Sequence, residues 1–551
     1  MRFRGLVEPA AVVLASLALA CALTYPLIAR FDHAGRVDSN DGRWSIWVVS
    51  WVAHSLTTDP LNTYHANIFY PHQDALTYSE ANLVEGAVGV PVWLLTKNPY
   101  ATHNFVVLFG FMVSSIGTYY LVRYLTGNRY SAAVAAVLYA YCPFVFARSA
   151  HIQLQMIGGL PICLLMFHRL VDRPTTLGAA ALGVAMWLQG LACAYYGIFA
   201  GMLVGFGTLL FATTQKRWTD RRYWSAIAVA AIVCLGLTAP FFAPYLKMQQ
   251  ETGFGRSLED ATRYSANWRG WLASAAWLHR QWLPLLDNKF LGVVFPGIIT
   301  LTFGLAGIWL GLKRATGAAC TRLRRDTVAF YVASGVMAFW IALGPRAYLY
   351  TWLHDYAPLF SFLRAPERTG LVVTLCLVVL ASITLTRIIE ARTNQFAVAA
   401  VLFALAVGDL VQAPIFMRDA PPVSPAYEVL SRLPKAPVAE FPYWATSQDF
   451  HGHSEYMLNS TAHWQPLING YSDHIPQDFR DSAQQIRGFP SRPAFAALEK
   501  YGARYVVLHL NLFGRQTRDQ LPALLDEYAD YLRPLSKDGD IWLFEIVGWP
   551  R

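Results

Sequence analysis

Eleven apolar runs recur along this chain, at approximately 7–29, 101–122, 130–147, 152–168, 175–192, 195–213, 224–245, 290–311, 327–344, 369–386 and 396–412. Each approaches the roughly 20 residues that carry a helix across a bilayer. Inside hydrocarbon every backbone N–H and C=O must bond within the protein. Repetition of such runs therefore confines the chain to a helical membrane bundle. Composition agrees, with 55% hydrophobic and 14% charged residues, against roughly 25% charged in soluble chains. The stretch 84–95 is shorter and follows a polar segment, so it reads as an interfacial or re-entrant helix. The run after Met1-Arg2-Phe3-Arg4 extends to Ile28. That is longer than the ~7–15 apolar residues of a signal peptide, and it reads as an uncleaved first span.

Charge decides the threading. With the N-terminus inside, the cytoplasmic connections are 123–129, 169–174, 214–223, 312–326 and 387–395. All are basic, through Arg123, Arg129, Arg169, Arg173, Lys216, Arg217, Arg221, Arg222, Lys313, Arg314, Arg322, Arg324, Arg325, Arg387 and Arg392. Short cytoplasmic loops carry this excess. The net charge of +9 is thereby accounted for without nucleic acid. The outer side receives 30–100, with seven acids against four bases, then 247–289, 345–368 and the tail. Counting 84–95 as a crossing would put every later basic loop outside.

The expected architecture is an all-α polytopic membrane domain, 1–412, with about eleven transmembrane helices and a long first outer loop, 30–100. A small α/β extramembrane domain, 413–551, follows. Its strand-like segments are 503–509 and 541–546, its helical ones 493–501 and 518–532, and Pro421, Pro422 and Pro425 mark the linker. The expected location is a bacterial inner membrane, with the N-terminus cytoplasmic and the tail extracytoplasmic. The seven cysteines show no paired spacing and read as small core residues.

Candidate chemistry gathers on the outer side. Asp38 and Asp41 open the first loop, ahead of Trp44, Trp47, Trp51 and His54. A carboxylate here suits taking a proton from an acceptor hydroxyl or holding a divalent metal. It suits equally a solvated loop in which Asp41 caps a helix, with the tryptophans as an interfacial belt. Glu80 is a further carboxylate candidate, whereas Asp74 and Glu85 read as solvated. His65 and His72, and in the tail His451, His453 and Glu455, are loosely spaced metal-ligand candidates. His151 and Gln153, with Gln155, enter an apolar run, where they suit sugar hydroxyls, phosphate or interhelical hydrogen bonds. Arg364 and Arg368 flank Glu367. Guanidinium forks match phosphate oxygens, and an ion pair with Glu367 is the alternative. Tyr264, Asn267 and Arg269 are weaker candidates of the same kind. There is no P-loop, GxSxG, HExxH or dinucleotide fingerprint.

Together these pieces resemble the GT-C superfamily of integral-membrane glycosyltransferases, which includes the oligosaccharyltransferase catalytic subunit, protein O-mannosyltransferases and the lipid A aminoarabinose transferase. The resemblance rests on the inside N-terminus, the long first outer loop with acids just after the first span, and the outer tail. It is nearer still to bacterial members of the superfamily. The residues concerned are Asp41 followed by Trp47 and Trp51, Ala66 through Pro71, Leu125-Thr126-Gly127, His151 through Leu154, Phe362 through Arg368, and His463 through Ser472. The resemblance implies a donor carrying its sugar on polyprenyl phosphate, and a glycan, lipid or protein acceptor on the outer face. It implies Asp41 as base with Asp38 as second carboxylate, and Arg364 and Arg368 steadying the leaving phosphate. Membrane lipids are partners in any case. Ser39 and Asn40 separate the two acids more widely than the family usually does, so the choice between them and any use of metal stay open. The alternative is a non-catalytic transporter or envelope-assembly scaffold, although inverted repeats typical of many transporters are not evident.

Overall fold

The computed structural model describes residues 4–286, 292–313 and 322–550. Met1–Phe3, Arg314, Cys320 and the start of the run 290–311 lie outside the described residues. The chain divides into two compact units. One comprises Met1–Ala29, Val106–Ala243 and Gly253–Ile415, and the other Arg30–Phe105, Pro244–Thr252 and Phe416–Arg551.

The first unit is helical. Among the described residues five helices are long and apolar enough to cross a membrane: Pro99–Thr126, Arg129–Phe146, Ala194–Thr214, Arg221–Thr252 and Pro366–Glu390. Shorter apolar helices include Val7–Leu23, Thr176–Ala192, Ile298–Leu312 and Gln395–Leu410. Several basic connections are tight because their last residues cap the next helix. Gly127 takes φ 76°, which closes the preceding helix, and Asn128 Oδ1 then accepts from the amides of Tyr130 and Ser131 at 2.9 and 3.0 Å. Thr175 and Asn394 cap their own helices in the same way.

One expected span is corrected. The run 152–168 is not one helix: Ile152–Gln155 is a 3-10 turn, and the helix begins only at Gly159 and runs to Asp172. The chain leaves helical geometry at Met156 (φ −81°, ψ 52°), and at Gly158 a Cβ would stand 2.6 Å from Ser114 N. The chain must pass that helix without a side chain before turning. A further buried polar node joins distant segments. Asp409 Oδ1 lies 2.7 Å from His279 Nε2, and its Oδ2 accepts from Ile299 N at 3.0 Å. The carboxylate thus sits on the amide end of the Ile298–Leu312 helix, where the helix dipole favours a negative charge.

The second unit is α/β. A two-residue antiparallel ribbon joins β1 (Ala34–Gly35) to β2 (Arg418–Asp419), and Arg30 pairs with Asp419 beside it. The tail sheet contains β3 (Val438–Phe441), β4 (Tyr505–His509), β5 (Leu532–Asp538) and β6 (Ile541–Ile546), in spatial order β3-β4-β6-β5. Strands β3 and β4 run parallel, and the other pairs are antiparallel. At the β3 edge, Val438 bridges Leu467. At the β5 edge the register shifts between Pro534 and Ser536.

The expected strands 503–509 and 541–546 match β4 and β6. Two expectations for the tail change. Helix 518–532 ends at Glu527, because Leu532 begins β5. Pro425 belongs to no linker but opens the helix Pro425–Arg432 behind the cap Ser424, a position that suits proline because its missing N–H would have no partner there.

Within this unit the first-loop helix Asn40–Thr58 packs closely on Leu83–Thr96. A Cβ on Gly86 would come within 2.3 Å of Val52. At 14 residues the second helix is about 21 Å long, short of the ~30 Å hydrocarbon thickness.

Candidate functional site

The first-loop acids differ in their surroundings. Asp41 is half-buried in the first turn of Asn40–Thr58 and does not cap it. The cap position is Ser39, whose side chain makes no capping bond. Asp41 therefore stands where the unpaired N–H groups of the first turn concentrate positive potential. Asp38 is engaged by Arg36, Nε to Oδ1 at 3.1 Å and Nη2 to Oδ2 at 3.4 Å. The turn carrying both is tight, since a Cβ on Gly42 would meet Arg36 O at 2.1 Å. Arg43 donates to Asn40 Oδ1 at 3.2 Å and lies 3.6 Å from Glu455.

The tryptophans are not an interfacial belt. Trp47 is wholly buried and donates to Asn67 Oδ1 at 3.3 Å. Trp51 donates to Thr63 O at 2.9 Å. Farther along the helix, His54 stacks on Trp464 at 4.5 Å with Trp93 edge-on at 6.1 Å. Burial, with Lys97 and Lys435 adding, pushes its imidazole down to about 4.

Glu80 is half-buried in a loop pinned by Tyr245, whose hydroxyl donates to Ser79 O at 3.1 Å and accepts from Ala81 N at 2.8 Å. The reading of Glu85 as solvated is corrected. It is fully buried, and neither carboxyl oxygen has a hydrogen-bond partner. Burial, with Glu80 adding, holds this carboxyl well above the usual carboxylate range. The signal was present in the sequence. Glu85, Gly89 and Trp93 follow a four-residue spacing on one helix face, and all three are buried. Because neither carboxyl oxygen has a hydrogen-bond partner to lose, Glu85→Gln is expected to change stability by less than about 1 kcal/mol. Glu85→Lys is expected to unfold the loop, and limited proteolysis with thermal unfolding reads both. Asp74 is likewise not merely solvated, with His65 at 2.8 Å and Lys247 at 3.5 Å.

The histidine candidates are dispersed among other partners. His72 pairs with Asp478 at 2.9 Å. His453 is buried between Trp444 O and the Asn469 amide, while His451 is exposed. Among the described residues no group of three His, Cys, Asp or Glu is placed to hold a metal ion. A buried node in the tail escaped the sequence reading. Glu440 Oε2 of β3 lies 2.7 Å from His509 Nε2 of β4 and accepts from Tyr427 OH at 2.7 Å.

In the first unit, the turn carrying His151 and Gln153 is brought against the segment carrying Arg364 and Arg368. Arg148 does this. It is buried, its Nη2 donates to Glu367 Oε1 at 2.9 Å, and its Nη1 donates to Val293 O at 3.0 Å. Phe144 lies under the guanidinium at 3.7 Å. Glu367 is thus paired with Arg148 across the two segments. His151 N closes the turn onto Arg148 O at 2.9 Å. Gln153 lies in the 3-10 turn instead of a membrane helix, buried, with no hydrogen-bond partner on Oε1.

Tyr195 ties the two arginines together. Its hydroxyl accepts from Arg364 N at 2.8 Å, and the Arg368 guanidinium lies 4.2 Å over its ring. Arg364 in turn lies 5.5 Å over the Tyr264 ring. Asn267 and Arg269 are engaged within their own loop. Tyr195 was not singled out from the sequence, because a tyrosine at the start of an apolar helix looks like packing. Of the sequence candidates, Asp38, Asp41 and Glu80 belong to one unit, and His151, Gln153, Arg364 and Arg368 to the other.

No protein-family model and no curated protein matches the sequence. Solved structures do match in fold. The oligosaccharyltransferase of Archaeoglobus fulgidus, in complex with Zn and sulfate, gives a TM-score of 0.52 at 14% identity, over 96% of this chain and 72% of that one. The same enzyme tethered to an acceptor peptide containing the NVT sequon gives 0.52 at 13% identity, over 98% and 74%. ArnT from Cupriavidus metallidurans in the apo state gives 0.43 at 13%, over 99% and 100%. The chain therefore shares its fold with the Archaeoglobus fulgidus oligosaccharyltransferase.

Proposed function

We propose that this protein is a membrane glycosyltransferase that moves a sugar from a polyprenyl-phosphate donor to an acceptor on the outer face of a bacterial inner membrane. The observation that carries this reading is the fold shared with the oligosaccharyltransferase. The chemistry of the candidate residues supports it independently. In the proposed reaction Asp41 takes the proton of the acceptor hydroxyl, and the acceptor oxygen bonds to the anomeric carbon. The bond from that carbon to the phosphate oxygen breaks, and polyprenyl phosphate leaves with the electron pair. Arg364 and Arg368, aligned by Tyr195, stabilise that developing charge. His151, Gln153 and Glu80 are proposed to contact the sugar or acceptor. The test is release of polyprenyl phosphate from defined donors by purified full-length protein. No release from any donor would favour a non-catalytic transporter or scaffold.

The proposal includes the charge threading, with the basic loops inside and 413–551 outside. Single cysteines placed in 214–223 and in 513–519 should label from opposite sides of intact cells, and labelling from one side would overturn the topology. The arginines make a separate prediction. A charge-assisted hydrogen bond is worth about 1.5–3 kcal/mol, so Arg364→Ala or Arg368→Ala should each lower donor turnover about 10–150-fold. Arg368→Lys should recover little of it, because an ammonium cannot replace a stacked planar fork.

A further inference from the structure

We propose that a cavity in the first unit, on the side of the basic loops, binds a phosphate ester that also carries a hydrogen-bond donor, as in a phosphatidylglycerol or phosphatidylethanolamine headgroup. Its volume is about 280 Å³, and Tyr124, His168, Asp172, Gln215, Arg322 and Arg324 line it. It lies at the ends of the helices Pro99–Thr126, Gly159–Asp172 and Ala194–Thr214 and at the start of Arg325–Ala342. Assigning it to the cytoplasmic leaflet rests on the topology proposed above.

Two observations define the ligand. The first is a pair of incompletely neutralised guanidiniums. Arg322 stands 4.4 Å over the Tyr124 ring, donates from Nη1 to Tyr124 O at 3.3 Å and lies 3.5 Å from Asp172 Oδ2, an oxygen that already accepts Tyr124 OH at 2.6 Å. Arg324 stands 3.4 Å from Asp326 Oδ2, which already accepts Gln215 Nε2 at 2.7 Å. Well-formed charge-assisted bonds are about 2.7–2.9 Å long, so both arginines can re-pair with a phosphate at little loss. Their side chains remain 48% and 54% exposed. The second observation is Gln215 Oε1, which is buried and has no donor. The bond from Nε2 to Asp326 fixes which end of the amide faces inward. An ionised phosphate cannot donate to that oxygen, so the ligand needs a hydroxyl or ammonium beside its phosphate. His168, at the back wall, is bonded to Tyr331 OH at 2.9 Å and does not compete. Basic pockets between membrane helices on the cytoplasmic side bind anionic headgroups by this chemistry.

Native mass spectrometry of delipidated full-length protein with phosphatidylglycerol, and with phosphatidylcholine as control, tests the assignment. Wild type should retain phosphatidylglycerol, and Arg322→Ala/Arg324→Ala should reduce the bound fraction at least tenfold at equal lipid. Gln215→Leu should reduce it about fivefold while leaving phosphatidylcholine binding unchanged. Displacement by millimolar glycerol 3-phosphate would assign the site to a free phosphate ester, and retention against it to a lipid; either supports the chemistry. Equal binding by wild type, Gln215→Leu and a folded Arg322→Lys/Arg324→Lys variant would overturn it. The readout involves no sugar transfer, so it stands apart from the test of the transferase reading.

Discussion

Asp41→Asn is expected to slow sugar transfer about 10²–10⁴-fold, the range typical of a positioned general base, with the fold intact. The structural cost should be small. Asparagine fits the same turn, and the loss of a charge at a helix start costs about 0.3–1 kcal/mol. The measurement is single-turnover release of polyprenyl phosphate, paired with a thermal unfolding curve for each variant. Asp38→Asn is the internal control. Asp38 accepts from Arg36 and is the second carboxylate in the proposed reaction, so its replacement should lower the rate less. If Asp38→Asn proved the slower enzyme, the two acids would exchange roles. If neither changed the rate, both acids would be ruled out as the base.

Arg148→Met carries the largest expected effect on stability. Removing one partner of a buried pair leaves an uncompensated charge and costs about 3–5 kcal/mol. Here Glu367 would lose its partner on a residue only 7% exposed, and Val293 O and Phe144 O would lose donors. Glu367→Gln should cost less, since the amide oxygen still accepts from Arg148. The double variant Arg148→Met/Glu367→Leu should recover much of the loss, because apolar replacement of a whole pair is often near neutral. Thermal unfolding in detergent reads all three. A double variant as unstable as Arg148→Met would show that the side chain's packing on Phe144, and not the charge, sets the cost. Donor turnover by the double variant is then informative, since the pair joins the turn of His151 to the segment of Arg364 and Arg368.

The legible part of the fold is the part that a sequence encodes locally. Apolar run length predicted the helices, and short strand-like runs located β4 and β6. The strand β5 was missed because its residues, from Leu532 through Asp538, are charged, short of β-branched residues and interrupted by Pro534. Their pairing with β6 comes from tertiary context. The apolar run at 152–168 concealed a break, because composition does not reveal that another helix passes Gly158. At the candidate site residue types were readable but partners were not. Two arginines beside Glu367 suggested an ion pair, and nothing in that local run pointed to Arg148, over 200 residues away. Glu85 was misread for a similar reason. A carboxylate near a polar loop looks solvated until the helix face it occupies is known.

The tail sheet limits how an acceptor can be recognised. Val438 at one margin is already bridged by Leu467. The other margin is broken by a register shift and Pro534, and Arg533 and Lys537 put cations along it. Such margins resist lengthening by a foreign strand. A polypeptide acceptor would therefore gain no affinity by strand addition, the mode in which main-chain bonds dominate and side chains matter little. Selectivity would fall instead to loop side chains, and single substitutions in the acceptor should discriminate sharply.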